Sequence, residues 1–105
     1  MAKIAVVEDN AAVRQELCGF IAQYAQESGQ LLEVTPFADG SQIVEPYRPG
    51  FDIIFLDIEM PTLGGMPTAE RIRLLDPDVV LIFVTNMAQY AIRGYEVDAL
   101  DFVLK

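Results

Sequence analysis

The sequence predicts an α/β fold, in which helices cover both faces of a parallel β-sheet. Short apolar segments alternate with segments of helical periodicity along the chain, which is the pattern of successive βαβ units. Hydrophobic residues make up 52% of the 105 residues, and so high a share in a small protein is typical of strands that are buried on both faces. The length suits a single domain with one hydrophobic core.

The first half of the chain contains three predicted strands and two predicted helices. Residues 3–7, 31–37 and 51–58 are apolar or β-branched runs bounded by polar turns. After the first run, apolar residues recur at helical spacing from Ala11, with Asn10 as the N-cap and Gly29 as the stop. Ser41 is predicted to cap a second helix, which Pro46 keeps short.

The second half of the chain repeats this alternation. Pro67 suits the first turn of a third helix whose apolar positions are Ala69, Ile72 and Leu75. Residues 79–84 form the most apolar strand, which ends at Thr85, and a fourth helical segment around residues 88–93 leads to a fifth strand at residues 100–104. Five parallel strands with right-handed crossovers give a doubly wound sheet, for which we expect the flavodoxin-like order 2-1-3-4-5.

The composition excludes several functions and locations. A formal net charge of -9 would repel a phosphate backbone, so this chain alone is not expected to bind DNA or RNA. One cysteine and no histidine exclude an internal disulfide and argue against a zinc site. No apolar run approaches the roughly 20 residues that cross a bilayer, and the amino terminus lacks a signal-peptide pattern. We therefore expect a cytoplasmic protein without a membrane partner.

Acidic residues follow two strands that the predicted strand order makes neighbours. Glu8 and Asp9 follow the first strand, and Asp57 lies at the end of the third. Three converging carboxylates repel one another and require a cation, and Mg²⁺ suits a shallow site with few carboxylates and a phosphate oxygen. Thr85 and Lys105 end the fourth and fifth strands at the same edge, where a hydroxyl and an ammonium group would bind a phosphoryl group on Asp57.

With Met60-Pro61 after Asp57 and with Gly65, these residues resemble the receiver-domain family of two-component response regulators. The resemblance covers the whole chain. It implies that Asp57 accepts a phosphoryl group from a histidine kinase in a Mg²⁺-dependent reaction. It also implies that Asp9 binds Mg²⁺ directly, that Glu8 binds it through water, and that the backbone carbonyl of Glu59 is a further ligand.

The resemblance also implies a switch and an output. In this family the threonine moves towards the phosphate and an aromatic residue fills the vacated space, and Thr85 and Phe102 match these positions. Residues 90–102 are similar to receivers of the LytTR class, whose regulators carry a DNA-binding domain after the receiver. We therefore expect control of transcription by a switch that is not an ordinary enzyme, although it assists its own phosphoryl transfer and dephosphorylation.

One departure from the family concerns the end of the sequence. Receiver domains have a crossover helix after the strand that carries the lysine, whereas Lys105 is the last residue here. We expect residues 1–105 to be a receiver domain truncated before its last helix, with the DNA-binding domain absent. We also expect a partly uncovered sheet face, so a homodimer could form there or through the fourth helix and fifth strand.

Other interpretations of the same residues stay open. Acids often cap helices or end strands, Thr85 and Phe102 are also ordinary strand and core residues, and Lys105 could be a simple edge-strand charge. A pseudo-receiver that binds partners without phosphorylation is one alternative, and it predicts no Mg²⁺-dependent modification. A small haloacid-dehalogenase-type phosphatase is another, because Asp57 and Glu59 flank a strand end, and it predicts turnover of phosphate esters.

Overall fold

The described residues form a five-stranded parallel sheet with helices beside it. The computed structural model describes residues 1–58, 60, 62–85 and 101–104, and it describes Thr85 and residues 101–104 through their backbone only. The strands are β1 (Ala2–Val7), β2 (Leu32–Phe37), β3 (Ile53–Leu56), β4 (Val80–Thr85) and β5 (Asp101–Leu104), and the helices are α1 (Ala11–Ser28), α2 (Gly40–Val44) and α3 (Gly65–Leu75). The sheet order is β2-β1-β3-β4-β5, which confirms the predicted order.

The two faces of the sheet are buried to different extents. Alternate strand residues point to opposite faces. The face that includes Ala5, Ile54, Leu56 and Phe83 packs against residues of α2 and α3 and forms the hydrophobic core. On the opposite face Ile53 and Phe55 are only partly buried. On that same face Ile4 and Val6 of β1 are buried, so among the described residues the cover is complete over β1 and incomplete over β3.

Helix α1 has the ends that its sequence predicts. The Asn10 side chain accepts a hydrogen bond from the backbone N–H of Val13, and Gly29 ends the helix with a φ of 72°. A left-handed backbone conformation favours glycine because a Cβ atom would be strained there. Both predicted boundaries of α1 are confirmed.

A groove of about 480 Å³ lies between α1 and the strands β1 and β3. No side chain of α1 is fully buried, and its Phe20 and Tyr24 side chains are 59% and 56% exposed. Cys18 is half-buried. Helix α1 therefore borders the sheet with little burial, and within the described ranges no helix is both long enough and apolar enough to cross a membrane.

Helix α2 is as short as predicted, but its cap differs from the prediction. Asp39, and not Ser41, is the N-cap, and its side chain accepts a hydrogen bond from the backbone N–H of Ser41. The helix begins at Gly40, which places Ser41 already inside the first turn. A carboxylate at the N-cap satisfies donors that the helix itself leaves unpaired and suits the positive end of the helix dipole.

The buried face of α3 includes only part of the helix's apolar residues. Ala69 and Ile72 are buried against the core, whereas Leu75 is 59% exposed. Each three-residue step along a helix falls short of a full turn by about 60°, so two such steps carry a side chain off the buried face. All three residues lie within α3, which confirms the predicted helix, although Leu75 does not join its buried face. The predicted fourth helix at residues 88–93 lies outside the described residues.

A partly buried hydrogen bond joins the end of α3 to the segment after α2. The Tyr47 hydroxyl donates to Oδ2 of Asp76 at 2.7 Å, and Asp76 is the C-cap of α3. Burial, together with the hydrogen bond and the negative charge of Asp76, raises the pKa of Tyr47 well above its ordinary value. Loss of this bond would remove a hydrogen-bond donor from the Asp76 carboxylate, which is partly buried.

We expect Tyr47→Phe to lower the free energy of unfolding by about 1–2 kcal/mol, because one side-chain hydrogen bond is lost and little volume changes. Urea titration followed by circular dichroism measures this difference. Tyr24→Phe is the matched control, since Tyr24 is more than half exposed on α1, and it should stay within about 0.5 kcal/mol of the unsubstituted protein. Equal effects of the two substitutions would contradict the prediction.

Candidate metal and phosphoacceptor site

The carboxyl ends of β1 and β3 lie side by side at one edge of the sheet. Val7 and Leu56, the last residues of the two strands, are register partners. The backbone N–H of Asp57 donates to the carbonyl of Val7 at 2.9 Å, so pairing continues just beyond the strand. The residues that directly follow these two strands are therefore held next to each other.

Three carboxylates meet at this edge. One carboxylate oxygen from each of Glu8, Asp9 and Asp57 lies within 4.8 Å of the others. Glu8 and Asp57 are only 1% and 6% exposed, whereas Asp9 is exposed. Like charges this close, two of them screened from water, repel strongly. Oxygen ligands on one open side suit a hard divalent cation such as Mg²⁺. The predicted convergence of these three residues is confirmed, and their roles stay predictions.

Hydrogen bonds from nearby backbone N–H groups orient the two buried carboxylates. Oε2 of Glu8 accepts from the backbone N–H of Asn10 at 3.2 Å, and Oδ1 of Asp57 accepts from the backbone N–H of Ile58 at 2.9 Å. The Arg14 guanidinium donates to the backbone carbonyl of Glu8 at 2.8 Å. Arg14 therefore ties the first turns of α1 to the acidic end of β1, a contact that the sequence analysis missed.

The other predicted site residues are described only in part. Thr85 is the last residue of β4, and Phe102 lies on the adjacent strand β5, where it pairs with Phe83. The side chains of Thr85 and Phe102 lie outside the described part of the chain, as do Glu59 and Lys105. The roles of these four residues in metal binding, phosphate binding and switching stay predictions.

The loop that follows Asp57 returns to pack on its backbone. The N–H of Gly65 donates to the carbonyl of Ile58 at 2.8 Å, and a Cβ atom on Gly65 would lie 2.2 Å from the carbonyl oxygen of Asp57. Only glycine allows so close an approach of two backbone segments. Gly65 therefore fixes the start of α3 directly against Asp57.

A further buried carboxylate, missed as a functional candidate in the sequence, holds this loop from the other side. Asp39 accepts hydrogen bonds from Ser41 (backbone N–H and hydroxyl) and from the backbone N–H groups of Thr62 and Leu63. Although burial favours its neutral form, these hydrogen bonds hold the pKa of Asp39 below its ordinary value of 3.8. Its ionised form therefore stabilises the fold above that pH, and the contribution is lost as the pH falls through the lowered pKa.

Comparison with known proteins connects this site to a family. Residues 4–105 match the response regulator receiver domain family. The sensory transduction protein LytT of Oceanobacillus iheyensis is 31% identical over 107 residues that cover 97% of this chain. This similarity confirms the predicted resemblance to the LytTR class. The match covers only 41% of LytT, so this chain spans less than half the length of that relative.

Solved structures agree with this assignment. The non-phosphorylated receiver domain of HemR from Leptospira biflexa matches all of this chain and 82% of its own, with a TM-score of 0.87 and 29% identity. The response regulator TrrA from Thermotoga maritima, solved in complex with Mg²⁺-BeF, matches all of this chain and 87% of its own, with a TM-score of 0.79 and 28% identity. Fold, acidic cluster and sequence matches agree, and the chain belongs to the response regulator receiver domain family.

Proposed function

We propose that Asp57 is the phosphoacceptor of a signalling switch in a two-component system. The observation that carries the proposal is the cluster of carboxylate oxygens from Asp57, Glu8 and Asp9, which lie within 4.8 Å of one another where β1 and β3 end. An aspartate that only ends a strand would not require two further carboxylates beside it. Membership of the receiver family supports the same function, since receiver domains are regulatory domains and not ordinary enzymes.

The cluster fits a single Mg²⁺ ion. In this proposal Asp9 and Asp57 bind the metal directly, Glu8 binds it through water, and the carbonyl of Glu59 completes the protein ligands. Glu8 suits the indirect role because it is deeply buried and its Oε2 already accepts a hydrogen bond from Asn10. When bound, Mg²⁺ would offset the repulsion of the carboxylates and withdraw charge from the phosphoryl oxygens. The complex of TrrA with Mg²⁺-BeF supports this assignment.

The protein's own groups then position the reaction. An Asp57 oxygen attacks the phosphorus of a phosphohistidine on the kinase, a P–O bond forms, the P–N bond breaks, and the imidazole leaves and takes up a proton. The N–H of Ile58 fixes the rotation of the carboxylate before the attack. Thr85 and Lys105 bind the oxygens of the transferred phosphoryl group. The resulting movement of Thr85 and Phe102 is the conformational change that transmits the signal. The same groups assist both transfer and dephosphorylation.

We propose control of transcription as the output. The similarity to LytT supports a LytTR-type DNA-binding domain elsewhere in the parent protein, because the acidic chain itself is unsuited to a phosphate backbone. A histidine kinase is the partner that supplies the phosphoryl group, and the cytoplasm is where such a kinase domain and DNA would meet it. A homodimer through the fourth helix and fifth strand, or through the uncovered sheet face, stays a prediction.

Intact-mass spectrometry after incubation with acetyl phosphate and Mg²⁺ tests this proposal. We expect one phosphate adduct on the protein, none on Asp57→Asn, and none when EDTA removes the metal, because asparagine cannot form the acyl phosphate. Asp78→Asn is the matched control, since Asp78 is exposed in the turn before β4 and outside the acidic cluster, and it should gain the adduct at the unsubstituted rate.

The two alternatives give different results in the same assay. A folded protein that gains no adduct would contradict the proposal and favour a pseudo-receiver. Repeated turnover of a phosphate ester, measured as steady release of inorganic phosphate, would favour a phosphatase. An adduct that persists in Asp57→Asn would place the phosphoacceptor at another residue.

A further inference from the structure

Asp39 joins two loops that are distant in sequence. Its Oδ1 accepts from the N–H of Thr62 at 3.0 Å, and its Oδ2 accepts from the N–H of Leu63 at 3.0 Å. The neighbouring N–H of Gly40 donates to the carbonyl of Leu63 at 3.2 Å. The carboxylate is 7% exposed, so these bonds form away from most of the solvent. Both oxygens of Asp39 thus bind the loop that follows Asp57.

The space around this contact is filled. A Cβ atom on Gly40 would lie 1.9 Å from the Thr68 hydroxyl oxygen and 2.5 Å from the Leu63 carbonyl oxygen. Thr68 is completely buried, and its hydroxyl donates to the carbonyl of Gly64 at 2.7 Å. Because well-packed regions move in discrete steps and not continuously, the loop cannot shift alone against the start of α2.

The other end of the same loop touches the phosphoacceptor. Leu63 is followed by Gly64 and Gly65, and Gly65 packs on the backbone of Asp57 and Ile58. The path from Asp39 to Asp57 therefore consists of hydrogen bonds from backbone N–H groups to the Asp39 carboxylate, one backbone–backbone hydrogen bond at Gly65 and one close backbone contact. Loss of the Asp39 bonds would release one end of a loop whose other end holds Asp57 in place.

We propose that Asp39 is a positioning residue for phosphoryl transfer, which holds the loop after Asp57 in the geometry that the reaction requires. The inference rests on the proposed function of Asp57. Asp39 itself is not part of the acidic cluster, which among the described residues contains Glu8, Asp9 and Asp57. The Asp39 carboxylate accepts hydrogen bonds from N–H and O–H donors of the protein. Asp39 therefore acts through the loop and does not bind the phosphoryl group.

Capping of α2 does not account for these contacts. An N-cap needs one acceptor oxygen for a backbone N–H of the first turn, and serine supplies it as well as aspartate does. The two bonds to Thr62 and Leu63 go beyond the cap and require a longer side chain with two oxygens. This difference allows the capping role and the positioning role to be separated by substitution.

Asp39→Ser keeps a capping oxygen but is too short to reach Thr62 and Leu63. We expect the initial rate of phosphorylation by acetyl phosphate, at saturating Mg²⁺ and saturating acetyl phosphate, to fall about tenfold or more, because misplacement of reacting groups by about 1 Å slows reactions by up to a hundredfold. Intact-mass time courses measure the rate, and circular dichroism at the same temperature verifies folding. Asp39→Asn keeps the side-chain shape and one acceptor oxygen, and it should give an intermediate rate.

Tyr47→Phe is the control for lost stability, since its hydrogen bond to Asp76 lies at the opposite end of α3. It should be phosphorylated at the unsubstituted rate. A folded Asp39→Ser that reacts as fast as the unsubstituted protein would overturn the positioning role alone. If Asp39→Ser does not fold, the same criterion applies to Asp39→Asn. Failure of the unsubstituted protein to gain an adduct would instead overturn the proposed function, and the role of Asp39 with it.

Discussion

Gly65→Ala should lower the free energy of unfolding by about 3 kcal/mol, at the upper end of what overpacking a folded protein usually costs. The added Cβ atom would lie 2.2 Å from the Asp57 carbonyl oxygen and 2.8 Å from the Ile58 Cα atom. Both neighbours are backbone atoms, so no side-chain rotation relieves the overlap. Either α3 or the segment that carries Asp57 must move, and urea titration measures the loss.

Gly19→Ala is the matched control for this substitution. Gly19 lies within α1, and an added Cβ atom there would meet no atom within 4 Å. Alanine loses less backbone freedom than glycine when a helix forms, so Gly19→Ala should raise the free energy of unfolding by about 0.5–1 kcal/mol. Effects of the same sign at both positions would contradict the steric argument for Gly65.

Asp9→Asn should slow phosphorylation of Asp57 about a hundredfold, the usual effect of removing one preorganised electrostatic contact to a transition state. The same substitution should raise the melting temperature of the protein in EDTA, because it removes one of three carboxylates whose oxygens lie within 4.8 Å of one another. Mg²⁺ should raise the melting temperature of the unsubstituted protein and have little effect on the variant. Intact-mass time courses and thermal melts with and without Mg²⁺ measure these effects.

Asp78→Asn serves as the control here too, because it removes the same charge from an exposed turn outside the cluster. It should leave both the phosphorylation rate and the Mg²⁺-dependent rise in melting temperature unchanged. If Asp9→Asn and Asp78→Asn give the same phosphorylation rate and the same rise in melting temperature with Mg²⁺, Asp9 does not bind the metal. A drop in the melting temperature of Asp9→Asn in EDTA would show that repulsion in the cluster is already offset by other contacts.

The central part of the site could be predicted from sequence because two simple rules place it. Apolar runs locate the strands, and the ends of parallel strands share one edge of the sheet. Glu8 and Asp9 follow the first run directly and Asp57 the third, so a parallel sheet with the predicted order must bring them together. The register of Val7 with Leu56 agrees with that expectation.

Contacts that involve backbone groups could not be predicted in this way. The role of Asp39 was missed, because its distant partners are the backbone N–H groups of Thr62 and Leu63, and every residue except proline carries such a group. Arg14 was missed for the same reason, since it binds a backbone carbonyl. Gly40, the residue after Asp39, did carry a sequence signal, because glycine is common where two backbone segments approach closely, and a Cβ atom on Gly40 would lie 2.5 Å from the Leu63 carbonyl oxygen.

The cap of α2 shows a limit of local patterns. Serine and aspartate are both good N-cap residues, and Asp39 and Ser41 lie two positions apart, so propensity alone does not decide between them. The long-range bonds to Thr62 and Leu63 favour the position where a carboxylate can serve both the helix and the loop. Tertiary contacts therefore decided a boundary that the sequence left open.

The pairing of β1 with β3 has a consequence for when the protein can receive a signal. These strands are separated along the chain by α1, β2 and α2, yet the acidic cluster exists only where they lie side by side. A newly made or partly folded chain in which they have not met contains the same three carboxylates without a common site. Under the proposed function, a kinase would find a competent acceptor only in molecules that have completed this long-range step, and phosphorylation would select fully folded molecules.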